Sequence, residues 1–166
     1  MLKQNLFYQE KLMDDNKHFK ALESMYLAAP INKIFNPQIT VSRESAEIEI
    51  RVNESLFHSA GAVHGAVYFK LLDDAAFFAA NSIESDFFML TVSFKTNLVK
   101  PISSGRMKSV GHVTRINRKQ IIAESVVYNG DGNEIGRGRG VFVKGKLPLA
   151  EALGYSDANK ETISKT

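Results

Sequence analysis

Gly61-Ala62-Val63-His64-Gly65-Ala66-Val67-Tyr68-Phe69-Lys70-Leu71-Leu72-Asp73-Asp74-Ala75-Ala76-Phe77-Phe78-Ala79-Ala80-Asn81-Ser82 is the stretch on which the reading of this chain turns. From about Gly65 to Ser82 it is apolar on nearly every side, which predicts a helix buried on most faces. It opens on His64-Gly65. The first N–H groups of a helix have no intrahelical acceptor and lie at the positive end of its dipole. A backbone N–H at Gly65 is therefore suited to hold a developing oxyanion. Two acids interrupt the apolar run, and an acid in such surroundings is costly unless paired, hydrogen-bonded or used. Asp74 follows Lys70 by four residues and can pair with it on a polar edge of the helix. Asp73 lies four residues after Phe69 and four before Phe77, on an apolar stripe. Its carboxyl should be desolvated and its pKa raised, as expected of a tuned base.

Upstream, apolar positions between Leu6 and Ala28 (Leu6, Phe7, Leu12, Phe19, Leu22, Tyr26 and Leu27) recur at spacings of three to four and predict a helix that Pro30 ends. Gln38 to Val52 alternates around Arg43-Glu44-Ser45, with Ile48, Ile50 and Val52 on one face, the pattern of a half-buried hairpin. The loop from Asn53 to Val63 leads into the central helix. Downstream, strands are expected over Phe87–Val99, Met107–Ile116, Lys119–Tyr128 and Ile135–Lys144. Pro101 with Ser103-Ser104-Gly105, Asn117-Arg118 and the hairpin signal Asn129-Gly130-Asp131-Gly132 separate them. Gly136, Gly138 and Gly140 alternate along the last strand, so something must approach its bare face closely. The order of elements is that of an α+β protein. One long central helix wrapped by a curved antiparallel sheet is the hotdog arrangement, here with an extra N-terminal helix. The expected division is an accessory helix and linker over 1–32, a hotdog domain over 33–147 and a flexible tail over 148–166.

With 166 residues, 44% of them apolar and 23% charged, the chain is sized and composed as a single globular domain. It has no cysteine, which excludes a disulfide framework and a thiolate zinc site and suits a reducing, cytoplasmic setting. Residues 1–19 mix charges throughout and lack a signal-peptide core, and no run of about 18 apolar residues exists, so no membrane partner is expected. A net charge of +3 is too small to argue for nucleic acid, although the bases crowd the half after Lys95 and suit an anionic small molecule. No Gly-rich phosphate loop follows a strand. Ser93 and Ser103-Ser104 have no triad partners, and His58, His64 and Asp73 lack a standard metal-ligand spacing, so no metal is expected.

The run Val63-His64-Gly65-Ala66, Leu72-Asp73-Asp74-Ala75 and Ala80-Asn81-Ser82 closely resembles a signature of the hotdog acyl-CoA thioesterases of the phenylacetate-degradation (PaaI-like) type. Leu90-Thr91-Val92-Ser93-Phe94, Pro101, Ile122-Ala123-Glu124 and Gly136-Arg137-Gly138-Arg139-Gly140 extend the likeness, which spans about Ile39 to Val143. The resemblance implies hydrolysis of acyl-CoA by a homodimer or dimer of dimers, with sites between subunits and coenzyme A present only as part of the substrate. It implies that Gly65 N–H polarises the thioester carbonyl and that His64 shapes the site. Asp73 from the opposite subunit would activate water or attack the carbonyl directly, both routes being open, and Thr91 would position the water. Two positions depart from the pattern. Ala66 replaces a second Gly and predicts a narrower pocket, and His58 stands where relatives often carry Asn, offering one donor and one acceptor in its place. The acyl chain is expected near Tyr68, Phe69 and Leu72, and the coenzyme A phosphates near Arg115, Arg118, Lys119 and Arg139. The alternatives are an acyl-CoA-binding protein without catalysis, and an acyl-thioester hydratase or dehydratase with His64 as base.

Overall fold

A computed structural model describes residues 2–155. In chain order the elements are α1 (Leu2–Ala28), α2 (Asn32–Phe35), β1 (Gln38–Ser42), β2 (Ser45–Arg51), a short 3-10 turn (Glu54–Leu56), α3 (Gly65–Asn81), β3 (Phe87–Leu98), β4 (Arg106–Ile116), β5 (Ile121–Asn129), β6 (Glu134–Pro148) and a second 3-10 turn (Leu149–Glu151). The strands form one six-stranded sheet in the order β1-β2-β4-β5-β6-β3, every neighbouring pair antiparallel. This is the hotdog fold, with α3 as its central helix.

The alanines of α3 explain why the sheet can wrap it so closely. Ala75, Ala76, Ala79 and Ala80 are fully buried, and β4 passes so near that a Cβ on Gly111 would lie 2.2 Å from the Ala75 carbonyl oxygen. Ser125 Oγ on β5 donates to the Leu72 carbonyl at 2.7 Å and ties down the backbone just before Asp73. Ile48, Ile50 and Val52 of the first hairpin face this core, as their alternation predicts. The bare glycine face of β6 is covered by an aromatic ring from the neighbouring strand. A Cβ on Gly138 would come within 2.3 Å of Phe94, whose ring also meets Phe69 edge-on at 5.7 Å.

The N-terminal helix is part of this core. Phe19, Leu22, Met25 and Tyr26 are buried in it, and Glu23 Oε1 accepts the Val41 N–H at 2.9 Å. His18 ties α1 to the end of α3 and to Tyr155: Nε2 donates to the Asn81 carbonyl at 3.0 Å and Nδ1 accepts from the Tyr155 hydroxyl at 2.7 Å. The expectation of a flexible tail from Pro148 is corrected for its first part. Leu149 is fully buried and its N–H donates to the Asp86 carbonyl at 2.9 Å, and Gly154 packs against Ala28, Ser24 and Met25 of α1. Leu149 and Ala152 supply the apolar anchors, and the polar composition around them masked that role. Residues 156–166 of the expected tail lie outside the described residues.

β3 ends the sheet on one side, and Leu90, Val92 and Leu98 stand exposed along it. A long apolar edge with unpaired backbone groups is a template for another strand. Among the described residues no helix is long and apolar enough to cross a membrane.

Candidate active site

The entry to α3 is held in place by backbone bonds. Val63 N–H donates to Ile102 O at 2.9 Å and His64 N–H to Leu56 O at 2.8 Å. His64 is the N-cap, in extended conformation at φ −64° and ψ 142°, and its Nδ1 accepts the Ala66 N–H at 3.0 Å. Val67 N–H turns back to the His64 carbonyl at 2.9 Å. Among the described residues nothing accepts the Gly65 N–H, which the helix start leaves free for a ligand. His58 Nδ1 in turn accepts the Ala60 N–H at 3.1 Å, and its ring centre lies 6.4 Å from that of His64. With both Nδ1 atoms accepting, the ring proton of each histidine is assigned to Nε2, where it is a donor. His58, Gly65, Tyr68, Leu98 and Lys100 line a cavity of about 280 Å³ here.

Asp73 lies in the middle of α3, half-buried. The Thr91 hydroxyl donates to its Oδ1 at 3.1 Å. Burial raises its pKa to about 6, the neighbouring charge of Asp74 adding to the rise, while the Thr91 bond and Lys70 oppose it. This is the upward shift predicted from its apolar stripe. Thr91 therefore orients the carboxylate itself. Asp74 pairs with Lys70, as its spacing predicts, but the pair is not on a polar edge. α1 roofs it: the Tyr26 hydroxyl donates to Asp74 Oδ2 at 3.0 Å, and Lys70 Nζ sits 5.3 Å from the centres of both the Tyr26 and Phe35 rings. Burial pushes the Asp74 pKa up against these two partners. Asp73 and Thr91 border a second cavity, of about 300 Å³, with apolar walls that include Met25, Phe77, Phe88 and Leu90.

Gly65 and Asp73 are eight residues apart on one helix, or about 12 Å at ~1.5 Å per residue. A single carbonyl cannot touch both within one chain. The structure also divides the expected substrate residues. Tyr68 borders the Gly65 cavity and donates to the Lys100 carbonyl at 2.8 Å. Leu72 is fully buried in the core and cannot line an acyl slot, because its side of α3 faces the sheet. Phe69 packs outward on Phe94, and Ala66 is exposed beside His64. Arg139 alternates with Gly138 and Gly140, whose face Phe94 covers, so it points to the other side of the sheet and pairs with Glu124 at 3.4 Å. Arg115, Arg118 and Lys119 are exposed around the β4–β5 turn. That turn follows the row Thr91–Phe142–Ile121–Ile116 across the sheet, at the opposite end from Leu98 and Gly65. Lys100 lines the same cavity as the free amide, and the sequence reading gives no site role to it or to Met25 and Tyr26, which line the second cavity.

Residues 60–135 match the family described as the Thioesterase superfamily. SSO1253, an esterase candidate of Saccharolobus solfataricus, is 23% identical over 117 residues, covering 70% of this chain and 71% of the relative. Among solved structures, the E. coli PaaI protein from the phenylacetic acid degradation operon superposes with a TM-score of 0.73 at 15% identity, over 81% of this chain and 97% of that one. A thioesterase family protein from Silicibacter pomeroyi gives 0.67 at 24% identity, over 75% and 95%. The chain has the hotdog thioesterase fold, and the segment that matches the superfamily is the one holding His64, Gly65, Asp73 and Thr91.

Proposed function

We propose that this protein is an acyl-CoA thioester hydrolase whose site is completed by a second copy of the chain. The observation that carries this reading is Asp73: a half-buried carboxylate, aimed by Thr91 at the edge of an apolar cavity, with a pKa raised to about 6. A carboxylate of this kind is basic enough to take a proton from water near neutral pH.

The free edge of β3 supports the second copy. Thr91 touches Asp73, and Leu98 reaches Gly65, where a Cβ would lie 3.2 Å from its Cδ1. An antiparallel two-fold pairing of β3 with its copy, centred between Phe94 and Lys95, sets Thr91 opposite Leu98 of the partner subunit. That pairing brings Asp73 of one protomer toward Gly65 of the partner subunit.

In such a cleft the thioester oxygen accepts from the partner's Gly65 N–H. Asp73 either removes a proton from the attacking water or itself attacks the carbonyl carbon. Negative charge then develops on the carbonyl oxygen, where an N–H at the positive end of a 17-residue helix stabilises it. Collapse breaks the C–S bond and expels coenzyme A as its thiolate, which takes up the proton that Asp73 removed from the water. Where Asp73 itself attacks, collapse leaves a mixed anhydride on its carboxyl, and a water then cleaves that anhydride, releasing the acid, restoring the carboxylate and supplying the proton for the thiolate. Lys100 stands ready for an anionic part of coenzyme A. The test is thiol release from a panel of acyl-CoAs by wild type and Asp73→Asn. Wild type should release thiol, and the variant should be slower by about 10²–10⁴-fold. Equal rates would remove Asp73 from the reaction, and tight acyl-CoA binding without thiol release would make the protein a binding module.

A further inference from the structure

We propose that the end of α1 and its exit, from Met25 to Asn32, is the wall that selects the acyl group by its length. The identity of the ligand rests on the hydrolase reading above, and the wall rests on the cavity itself. Asp73 and Thr91 mark the reactive border. Phe77, one turn further along α3, and Phe88 and Leu90, two residues apart on β3, form one side of the apolar interior. Met25, Tyr26 and Ala29 close the other side. Removing α1 would leave the acyl cavity an open trough.

This wall is fixed in position. The Tyr26 hydroxyl is bonded to Asp74 at 3.0 Å, Asn32 Nδ2 donates to the Tyr26 carbonyl at 2.6 Å, and Glu23 takes the Val41 N–H at 2.9 Å. Its charges are already spoken for, since Lys70 and Asp74 satisfy each other beneath Tyr26. The interior therefore favours an uncharged, apolar acyl group. Its volume sets the size. About 300 Å³ is at the small end of ligand cavities. Met25 is almost fully buried against this space, with an unbranched side chain whose loss deepens it. Ala29 is half-buried, and a larger side chain there fills the cavity from its rim without entering the core.

The experiment measures calorimetric affinities of S-alkyl-coenzyme A thioethers of increasing chain length for wild type, Met25→Ala and Ala29→Leu, with circular dichroism as a check on folding. Thiol release from the matching acyl-CoAs is followed in parallel. Affinity for wild type should rise with each methylene until the cavity is full. Met25→Ala should move that limit to longer chains and Ala29→Leu to shorter ones, changing the ratio of long- to short-chain affinities by about tenfold or more. Ala29→Leu carries the test if Met25→Ala fails to fold. An identical length limit in wild type and the folded variants overturns the wall, even if thiol is released. A limit that moves as expected without thiol release keeps the wall and removes the hydrolase reading.

Discussion

Asp73→Asn should stabilise the protein while it disables the site. The folded chain holds an ionised carboxyl in surroundings that raise its pKa from the ordinary 3.8 to about 6. At about 1.36 kcal/mol per unit, a rise of about two units corresponds to roughly 3 kcal/mol of folded-state cost at alkaline pH. Asp73 is partly exposed, and solvent screening reduces the recoverable part to about 1–2 kcal/mol. The sign follows from proton binding. Above about pH 6 both folded and unfolded chains carry the charge, and only the folded one is penalised. Between 6 and 3.8 the folded chain keeps a proton that the unfolded chain has lost, so this residue's contribution to stability rises as the pH falls. Below both values the penalty is gone. Asparagine has no charge to bury and can still accept from Thr91. Thermal melts at one protein concentration should show the variant about 2–8 °C more stable at pH 8, at ~2–4 °C per kcal/mol for a domain of this size. The advantage should shrink below pH 6 and be nearly absent at pH 4. A variant no more stable than wild type at pH 8, or one whose gain is the same at all pH values, would refute the burial of this charge.

Two further outcomes follow from the same contacts. Thr91→Val removes the hydrogen bond that favours the ionised carboxylate, so the acid limb of the kcat/KM profile, near pH 6 in wild type, should move to higher pH. A limb that stays in place would show that Thr91 does not act on Asp73. Gly138→Ala should destabilise the fold by about 1–3 kcal/mol through overpacking against Phe94. A denaturant midpoint equal to that of wild type would mean that the ring is not seated on β6.

What the sequence made legible is what short-range pattern encodes. The apolar periodicity of α3 and the alternation of Ile48, Ile50 and Val52 carry their own geometry. The raised pKa of Asp73 was readable because its i±4 neighbours are Phe69 and Phe77. The same all-round apolarity hid which side chains line a cavity. Leu72 and Phe69 read alike, yet one is sealed in the core and the other packs outward on Phe94. Contacts between distant parts of the chain left no local trace. Tyr26 meets Asp74 across 48 residues and Thr91 meets Asp73 across 18, so neither the roof nor the bond could be seen in spacing. The basic residues crowd one half of the chain, and their spacing alone does not tell which strand face each one occupies. Arg139 then proved to face away from the bare side of β6, and Lys100, alone after the end of β3, was overlooked. The start of the expected tail failed for a related reason, since Leu149 and Ala152 are too few to show a period.

The shared cleft is tested most directly by mixing two inactive chains. Gly65→Pro removes the amide hydrogen that holds the oxyanion. Proline is favoured at the first position of a helix. His64, at φ −64° and ψ 142°, already has the backbone that a residue before proline needs. The added ring meets the flexible end of Leu98. Asp73→Asn lacks the carboxylate but keeps the amide. Co-expressed in equal amounts and assembled at random, the two chains should regain about one quarter of wild-type turnover, because one pairing in four joins an intact Asp73 to the partner's intact Gly65. A mixture no more active than either chain alone would contradict a site built from two protomers.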